Sequence, residues 1–236
     1  MESTVEARRD LVAVLEADAD LKAVIPPDDL DLARKQLVAR VVDAPPGAWD
    51  PDGICEIDGV GLLVLEGLLT REVEIGGARS LELLGTGDVI RPWDDDPELS
   101  PTSKEASWTV FEATRLAYLD RRFMAALGRW PTLGSEIIHR VLRRSRWLAV
   151  RLAIGSLQGV AQRVTFLLWH MAGNWGRVTP EGTLVPFRLT HELIADLIGA
   201  RRPSVTTAIG ELREADKIER RRDGWLLKGR PPHRPE

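Results

Sequence analysis

The stretch Leu189–Ile218, LTHELIADLIGARRPSVTTAIGELREADKI, reads as two short helices around a tight turn. Thr190 is a good N-cap, because its hydroxyl accepts a hydrogen bond from a first-turn N–H that has no helical partner. Glu192 and Asp196 read as negative charge near the positive end of that helix. Leu193, Ile194, Leu197 and Ile198 fall on one apolar face. Gly199 supplies the turn, since glycine takes positive φ without a steric cost. A second helix starts near Arg202-Pro203-Ser204, where the N–H that proline lacks has no partner to lose. Val205, Ile209 and Leu212 make its inner side. Arg201, Arg202, Ser204, Thr206 and Thr207 are left facing outward at its N-terminal end, where base edges and phosphates lie when such a helix enters a major groove.

Two amphipathic helices around a glycine are common in helical domains. The sequel decides the reading. Lys217-Ile218-Glu219-Arg220-Arg221-Arg222 leads to Asp223-Gly224 and then Trp225-Leu226-Leu227. Asp-Gly flanked by strand-like residues is a hairpin signal. A basic two-stranded wing makes the unit a winged helix-turn-helix, with Arg220, Arg221 and Arg222 as further candidates for contact with double-stranded DNA.

Charge separates this region from the rest. The net charge of the 236 residues is −4. Residues 1–130 hold 14 Lys and Arg against 26 Asp and Glu, a net of −12, whereas residues 131–236 hold 18 against 10, a net of +8. The acidic half is repelled by a polyanion and the basic half is drawn to one. The length favours two modest domains over one large core. No apolar run approaches the length of a bilayer span, and Met1–Glu16 mixes acids, arginines and leucines without a signal-peptide pattern. The expected compartment is the cytoplasm, and no membrane partner is expected. Cys55 is the single cysteine, which excludes an intramolecular disulfide and a cysteine-ligated cluster or zinc finger within one chain.

Working outward, three blocks appear. Residues 1–45 read as helical, with Leu11, Val14 and Leu15 on one face and a break at Pro26-Pro27-Asp28. Leu30, Ala33, Leu37 and Val38 then resume helical spacing, capped by Asp28 or its neighbour. From about Val38 to Leu119 the grammar is strands and turns. Gly61–Glu66 is apolar, Gly67 interrupts it, and Leu68–Ile75 alternates, with Leu69, Arg71, Val73 and Ile75 on one parity. Gly76-Gly77 and Gly85-Thr86-Gly87-Asp88 are turns around Ser80–Leu84, and Trp108–Ala113 and Arg115–Leu119 are the last strands. Short strands at this spacing argue for a small antiparallel barrel or roll. Pro92–Lys104 reads as an exposed loop. The third block opens with a short helix, Arg121–Leu127, and then the longest helical run, Thr132 to about Ser156. There Ile138, Val141, Leu142, Ser145, Leu148, Ala149 and Leu152 recur at spacings of three and four, and with Trp147 they make the stripe wider than one seam. Such a helix covers two things. One is the roll. The other is either the same helix of a second subunit, packed as a coiled coil, or more of the same monomer. Gly155 and Gly159 flank a hinge-like break, Val160–Met171 is a further helix, and Arg177–Phe187 is a small hairpin or loop.

Roll, long helix, hinge, helix-turn-helix and basic wing, in this order, resemble the Crp/Fnr family of bacterial transcription factors, whose name comes from the cyclic-AMP receptor protein and the fumarate–nitrate regulator. The resemblance implies an α+β chain. It places N-terminal helices and an effector-type, jelly-roll, cyclic-nucleotide-binding-like β-roll in residues 1–130, a dimerisation helix in 131–157 and a winged helix-turn-helix in 158–236. It also implies a homodimer on a pseudo-palindromic operator, with RNA polymerase as a further partner. Arg201-Arg202 and Ser204 match the opening of the family's recognition helix, and Arg202 stands where the family reads guanine. The planar fork of an arginine fits O6 and N7 of guanine. Pro203 replaces the family's acidic base-reader and Thr207 its later arginine, so base preference is expected to differ. Thr190, Arg201 and Ser204 are better placed for phosphates.

Gly67 and Gly87-Asp88 match structural turns of the family roll, but the phosphate cassette is degenerate. Cyclic-nucleotide binders carry Gly-Glu and, further on, Arg followed by Ser or Thr. Here Gly87-Asp88-Val89-Ile90 runs into Arg91-Pro92-Trp93-Asp94-Asp95-Asp96, and three aspartates repel a phosphate. Regulation by ordinary cyclic AMP is therefore not expected, and no cofactor is. Arg91, Trp93 and Trp108 are open to two readings: the lining of an effector pocket for another metabolite, or a solvated arginine and two tryptophans that pack the roll. His139, His170, His191 and His233 stand in no metal-ligand spacing. No phosphate loop, nucleophile elbow or catalytic constellation is present in the sequence, so an enzyme is not expected.

Overall fold

The computed structural model describes residues 10–51, 54, 59–75, 78–93 and 107–232. Gly76-Gly77, Cys55, His233 and the acidic loop after Trp93 lie outside the described residues. Two compact units emerge. One falls within residues 1–73 and 84–144, and the other within 74–83 and 145–236.

The first unit begins with a correction. Leu11 does not open a helix: Leu11–Ala13 form strand β1, paired antiparallel with Val38–Ala44 (β2). Three residues are too few to display a period, and Leu11 is exposed while Val14 and Leu15 are buried. Helices α1 (Val14–Ala17) and α2 (Ala19–Ala23) follow. A 3-10 turn at Pro27–Asp29 leads into α3 (Leu30–Gln36), whose N-cap position is Asp29 without a side-chain bond, and Val38 belongs to β2.

The sheet is antiparallel. Gly47–Trp49 (β3), Gly61–Ile75 (β4), Ala78–Gly85 (β5), Val89–Ile90 (β6) and Ser107–Leu119 (β7) join it in the order β1-β2-β7-β4-β5, with β3 on β7 and β6 on β4. The two segments expected on either side of Gly67 are one strand of 15 residues, and the last two expected strands are likewise one. Register shifts between Val64 and Leu69 explain the broken pattern. Each shift bends the strand without ending it, and resets which face is buried. Leu68 and Leu69, on either side of the last shift, are consequently both buried although adjacent. The bend curls the sheet around Leu62, Val64, Leu84, Ile90, Val110 and Leu116.

Asp120 caps α4 (Arg121–Leu127) through a 2.9 Å bond from the Phe123 N–H. The 25-residue helix α5 runs from Pro131 to Gly155. Its first turns pack Leu133 and Ile137 with Phe123, Trp130 and the N-terminal helices. Arg140, only 3% exposed, makes two bonds of 2.5 and 2.9 Å to the Asp18 carboxylate, and others to Glu136 and the Gly87 carbonyl.

In the second unit, α6 spans Val160–Trp175, four residues longer than expected. The hairpin β8 (Arg177–Thr179) and β9 (Gly182–Val185) leads to α7 (His191–Ile198) and α8 (Arg202–Glu214). Strands β10 (Ile218–Arg221) and β11 (Gly224–Leu227) complete a sheet of order β10-β11-β9-β8.

Candidate nucleic-acid interface

Helices α7 and α8 form the expected helix-turn-helix. Thr190 Oγ1 accepts from the Leu193 N–H at 3.1 Å, which closes the N-terminus of α7. Gly199 takes the left-handed conformation, φ 62° and ψ 45°, and the Ala200 N–H returns to the Ala195 carbonyl at 2.9 Å. Glu192 lies in the first turn, but Asp196 lies in the last, at the negative end of the short helix, and does not complement its dipole. Leu193, Ile194, Leu197 and Ile198 are buried with Ala195, and Val205, Ala208, Ile209 and Leu212 are buried below α8. A cation also serves the turn. Arg163 on α6 donates from Nε to the Leu157 carbonyl at 2.5 Å and from Nη1 to the carbonyls of Ile198 and Gly199 at 3.4 and 3.5 Å.

With one side so buried, the other is free. Thr190, Arg201, Arg202, Ser204, Thr206 and Thr207 are all exposed. The guanidinium groups of Arg201 and Arg202 make no hydrogen bond or ion pair among the described residues. The two threonines are partly committed. Thr206 donates to the Arg202 carbonyl at 3.1 Å and Thr207 to the Pro203 carbonyl at 3.2 Å, and the Thr207 oxygen remains as an acceptor.

The wing differs in detail from expectation. Arg221 pairs with Gly224, so the two-residue loop is Arg222-Asp223, one position earlier than Asp223-Gly224. Gly224 opens β11 with φ 155°, and a Cβ there would fall 2.0 Å from the Val185 carbonyl oxygen. The glycine serves close approach to β9 rather than the turn itself. The three wing arginines diverge. Arg220 donates to the Leu189 carbonyl at 3.3 Å and lies 5.1 Å from the centre of the Trp225 ring. Arg221 is paired with Glu181 at 2.7 Å and Glu219 at 2.6 Å. Arg222, exposed at the tip, makes no ion pair among the described residues.

His191 was not among the candidates. It is the first residue of α7, and its Nδ1 lies 3.0 Å from Thr206 Oγ1 on α8. Both bonds of that hydroxyl are satisfied when Nδ1–H donates to it and it donates to the Arg202 carbonyl. Burial, with Arg220, Arg202 and Arg213 nearby, holds the imidazole below its ordinary pKa, in the neutral form. The clue in the sequence was its place directly after the N-cap.

The seven residues expected to dimerise are all exposed on α5. Ile138, Leu142 and Leu152 show 62%, 51% and 77% of their surface. Of the possible effector residues of the roll, Arg91 is half-buried and not the solvated arginine of the second reading. Arg91 donates to the carbonyls of Gly59 and Val60 at 2.6 and 3.2 Å. Trp93 and Trp108 pack in the apolar cluster of the roll, edge-on to Tyr118 and Trp49 respectively.

This geometry has counterparts in known proteins. Residues 162–230 match the Crp-like helix-turn-helix domain. The chain carries that domain. Part of it is 32% identical over 112 residues to the global nitrogen regulator of Synechococcus elongatus, covering 46% of this chain and 50% of that protein. The chain thus spans about half the length of the curated relatives it matches. Among solved structures, a CooA variant from Carboxydothermus hydrogenoformans superposes with a TM-score of 0.60 at 18% identity, covering 93% of this chain and 92% of that one. A cyclic nucleotide-binding domain containing protein from Listeria monocytogenes gives 0.64 at 14% identity, covering 89% and 96%. The fold is therefore an antiparallel cyclic-nucleotide-binding-type sheet domain, helices and a Crp-type helix-turn-helix. The matches thus give a Crp-like helix-turn-helix domain over residues 162–230 and a fold shared with these solved structures. No described helix is long and apolar enough to cross a membrane.

Proposed function

We propose that the chain is a cytoplasmic transcription regulator that binds a pseudo-palindromic operator in double-stranded DNA as a homodimer. The observation that carries this reading is the exposed N-terminal end of α8. There Arg201, Arg202 and Ser204 lie beside one another on a helix whose opposite side is buried. Arg202 reads a base edge, and Thr190, Arg201, Ser204 and the wing-tip Arg222 hold phosphates. Thr207 offers an acceptor beside them, and Thr206 is held by His191. Arg220 and Arg221 act first within the wing, through Leu189, Trp225, Glu181 and Glu219.

The exposed face of α5, Ile138, Val141, Leu142, Ser145, Leu148, Ala149 and Leu152, supports the dimer, since a second copy of the same stripe buries it. An isologous pair sets two recognition helices about 34 Å apart, one turn of B-DNA. The domain scheme follows: residues 1–130 as the roll, 131–157 as the dimer helix and 158–236 as the DNA-binding module. RNA polymerase is the partner such a regulator meets at a promoter.

Selection of genomic fragments on the purified protein, followed by sequencing and footprinting, tests the reading. The expected result is a two-fold symmetric motif with half-sites one helical turn apart. Protein that retains no duplex at low ionic strength would overturn it.

A further inference from the structure

Trp147 is 5% exposed, yet its indole N–H meets no acceptor among the described residues. One turn on, Arg151 has Nε and Nη1 buried without a hydrogen-bond partner, and on α6 the Nε2 of His170 is in the same condition. The three side chains form a stack. The Trp147 and His170 rings are 4.9 Å apart between centroids and tilted by 33°, and the Arg151 guanidinium carbon lies 5.8 Å from the Trp147 ring centre. Trp175, 6.1 Å from Trp147, and Phe187, 5.3 Å from Trp175, extend the aromatic wall. All of these residues belong to the second unit.

Buried donors nearly always find acceptors, because water satisfied them before folding. Unpaired donor nitrogens gathered in one stack mark a place where something is to be accepted. The chemistry is one-sided. A guanidinium and an indole N–H can only donate, and the guanidinium carries positive charge. Glu82 on β5 is within electrostatic reach of Arg151 and favours its charged form, but burial outweighs it and pulls this arginine below the usual guanidinium range. Burial likewise keeps His170 neutral, so that Nε2 can carry a proton to donate. What the stack lacks is an anionic acceptor within hydrogen-bond distance of these nitrogens. Arg151, His170 and Trp175 are only half-buried, which leaves solutes a way in.

We propose that Trp147, Arg151 and His170 form a binding site for a small oxyanion-bearing metabolite, its carboxylate or phosphate held by the guanidinium and its body lying on the Trp147–Trp175 wall. The site joins α5 to α6 on either side of the connection from Gly155 to Gly159, so occupation fixes the angle between these helices. It rests on the packing of the second unit and not on the operator reading.

The test uses the full-length protein labelled with nitrogen-15. The Trp147 indole N–H signal, identified by its loss in Trp147→Phe, is followed during titration with benzoate, acetate and inorganic phosphate. The expected result is a saturable shift with at least one probe and a matching rise in melting temperature. Benzoate or acetate points to a carboxylate and inorganic phosphate to a phosphate. Arg151→Met is expected to fold and to bind that probe at least about tenfold more weakly, while Arg151→Lys retains part of the response. Arg202→Ala should keep the full probe response and lose operator affinity, which separates this site from the DNA reading. No shift with any probe, or the same shift in Arg151→Met, would overturn the proposal. Failure of Arg151→Met to fold would do so equally, since it would make the guanidinium a structural member of the core.

Discussion

Arg202 combines a free guanidinium with a position on the first turn of α8, and in the proposed complex its planar fork would meet a guanine edge. Arg202→Ala is expected to cost about 1–3 kcal/mol of binding and to relax preference at one base pair. Selection from a randomised operator checks this, and an unchanged motif would reject the assignment. Arg222→Ala, at the wing tip, should weaken all sequences alike and lower the salt slope by about 1. In the first unit, Arg140→Met strands the Asp18 carboxylate in a buried place and should lower stability by about 3–5 kcal/mol, read by denaturant unfolding. Burial pushes the Asp18 carboxyl up, but hydrogen bonds from Arg140 and the Leu21 N–H, and the Arg140 charge, bring it below its ordinary range. The unfolded chain therefore takes up that proton first, and the stabilisation present near neutrality is lost as the pH falls below about 4. The sign is the same for His170 and His191, whose folded pKa values are lowered by burial. The unfolded imidazoles charge first, so stability falls as the pH drops from about 7 to about 5. Thermal melts of His170→Phe with His191→Gln should show a flatter profile over that interval.

At the level of elements, α5 presents two faces of different fate. Its inner face is covered by core residues, and its outer face holds aliphatic side chains in water. Leu142→Glu is expected to leave monomers in sedimentation at micromolar concentration and to weaken operator binding steeply, with helix content unchanged. Gly224→Ala forces a methyl against the Val185 backbone and should destabilise the wing by about 1–3 kcal/mol. The helices were readable from the sequence because aliphatic residues recur every three or four positions over many turns, as from Leu133 to Ile154. Thr190 and Gly199 were readable because caps have few chemical solutions. Strand β1 was not, for three residues carry no period, and β4 was split because its bulges break alternation from within. The wing loop was displaced by one residue because Gly224 is demanded by a neighbouring strand and not by the turn. The Arg140–Asp18 pair spans 122 residues of sequence, and the Trp147–Arg151–His170 stack joins two helices, so only packing reveals either.

For the whole molecule, the charge division makes the salt response diagnostic. The logarithm of operator affinity should fall linearly with the logarithm of salt concentration, with a slope of about −0.9 for each phosphate neutralised. A flat response in fluorescence anisotropy would contradict a mode of binding founded on phosphates. The acidic first half, net −12 over residues 1–130, adds repulsion from any polyanion. Arg163 adds a mechanical corollary. One guanidinium grips the connector at Leu157 with one nitrogen and the last carbonyls of α7 with another. Twisting the connector therefore drags the helix-turn-helix along with it, as a crank turns a shaft. Cutting that grip with Arg163→Met would let the reading head swivel independently of whatever moves the connector.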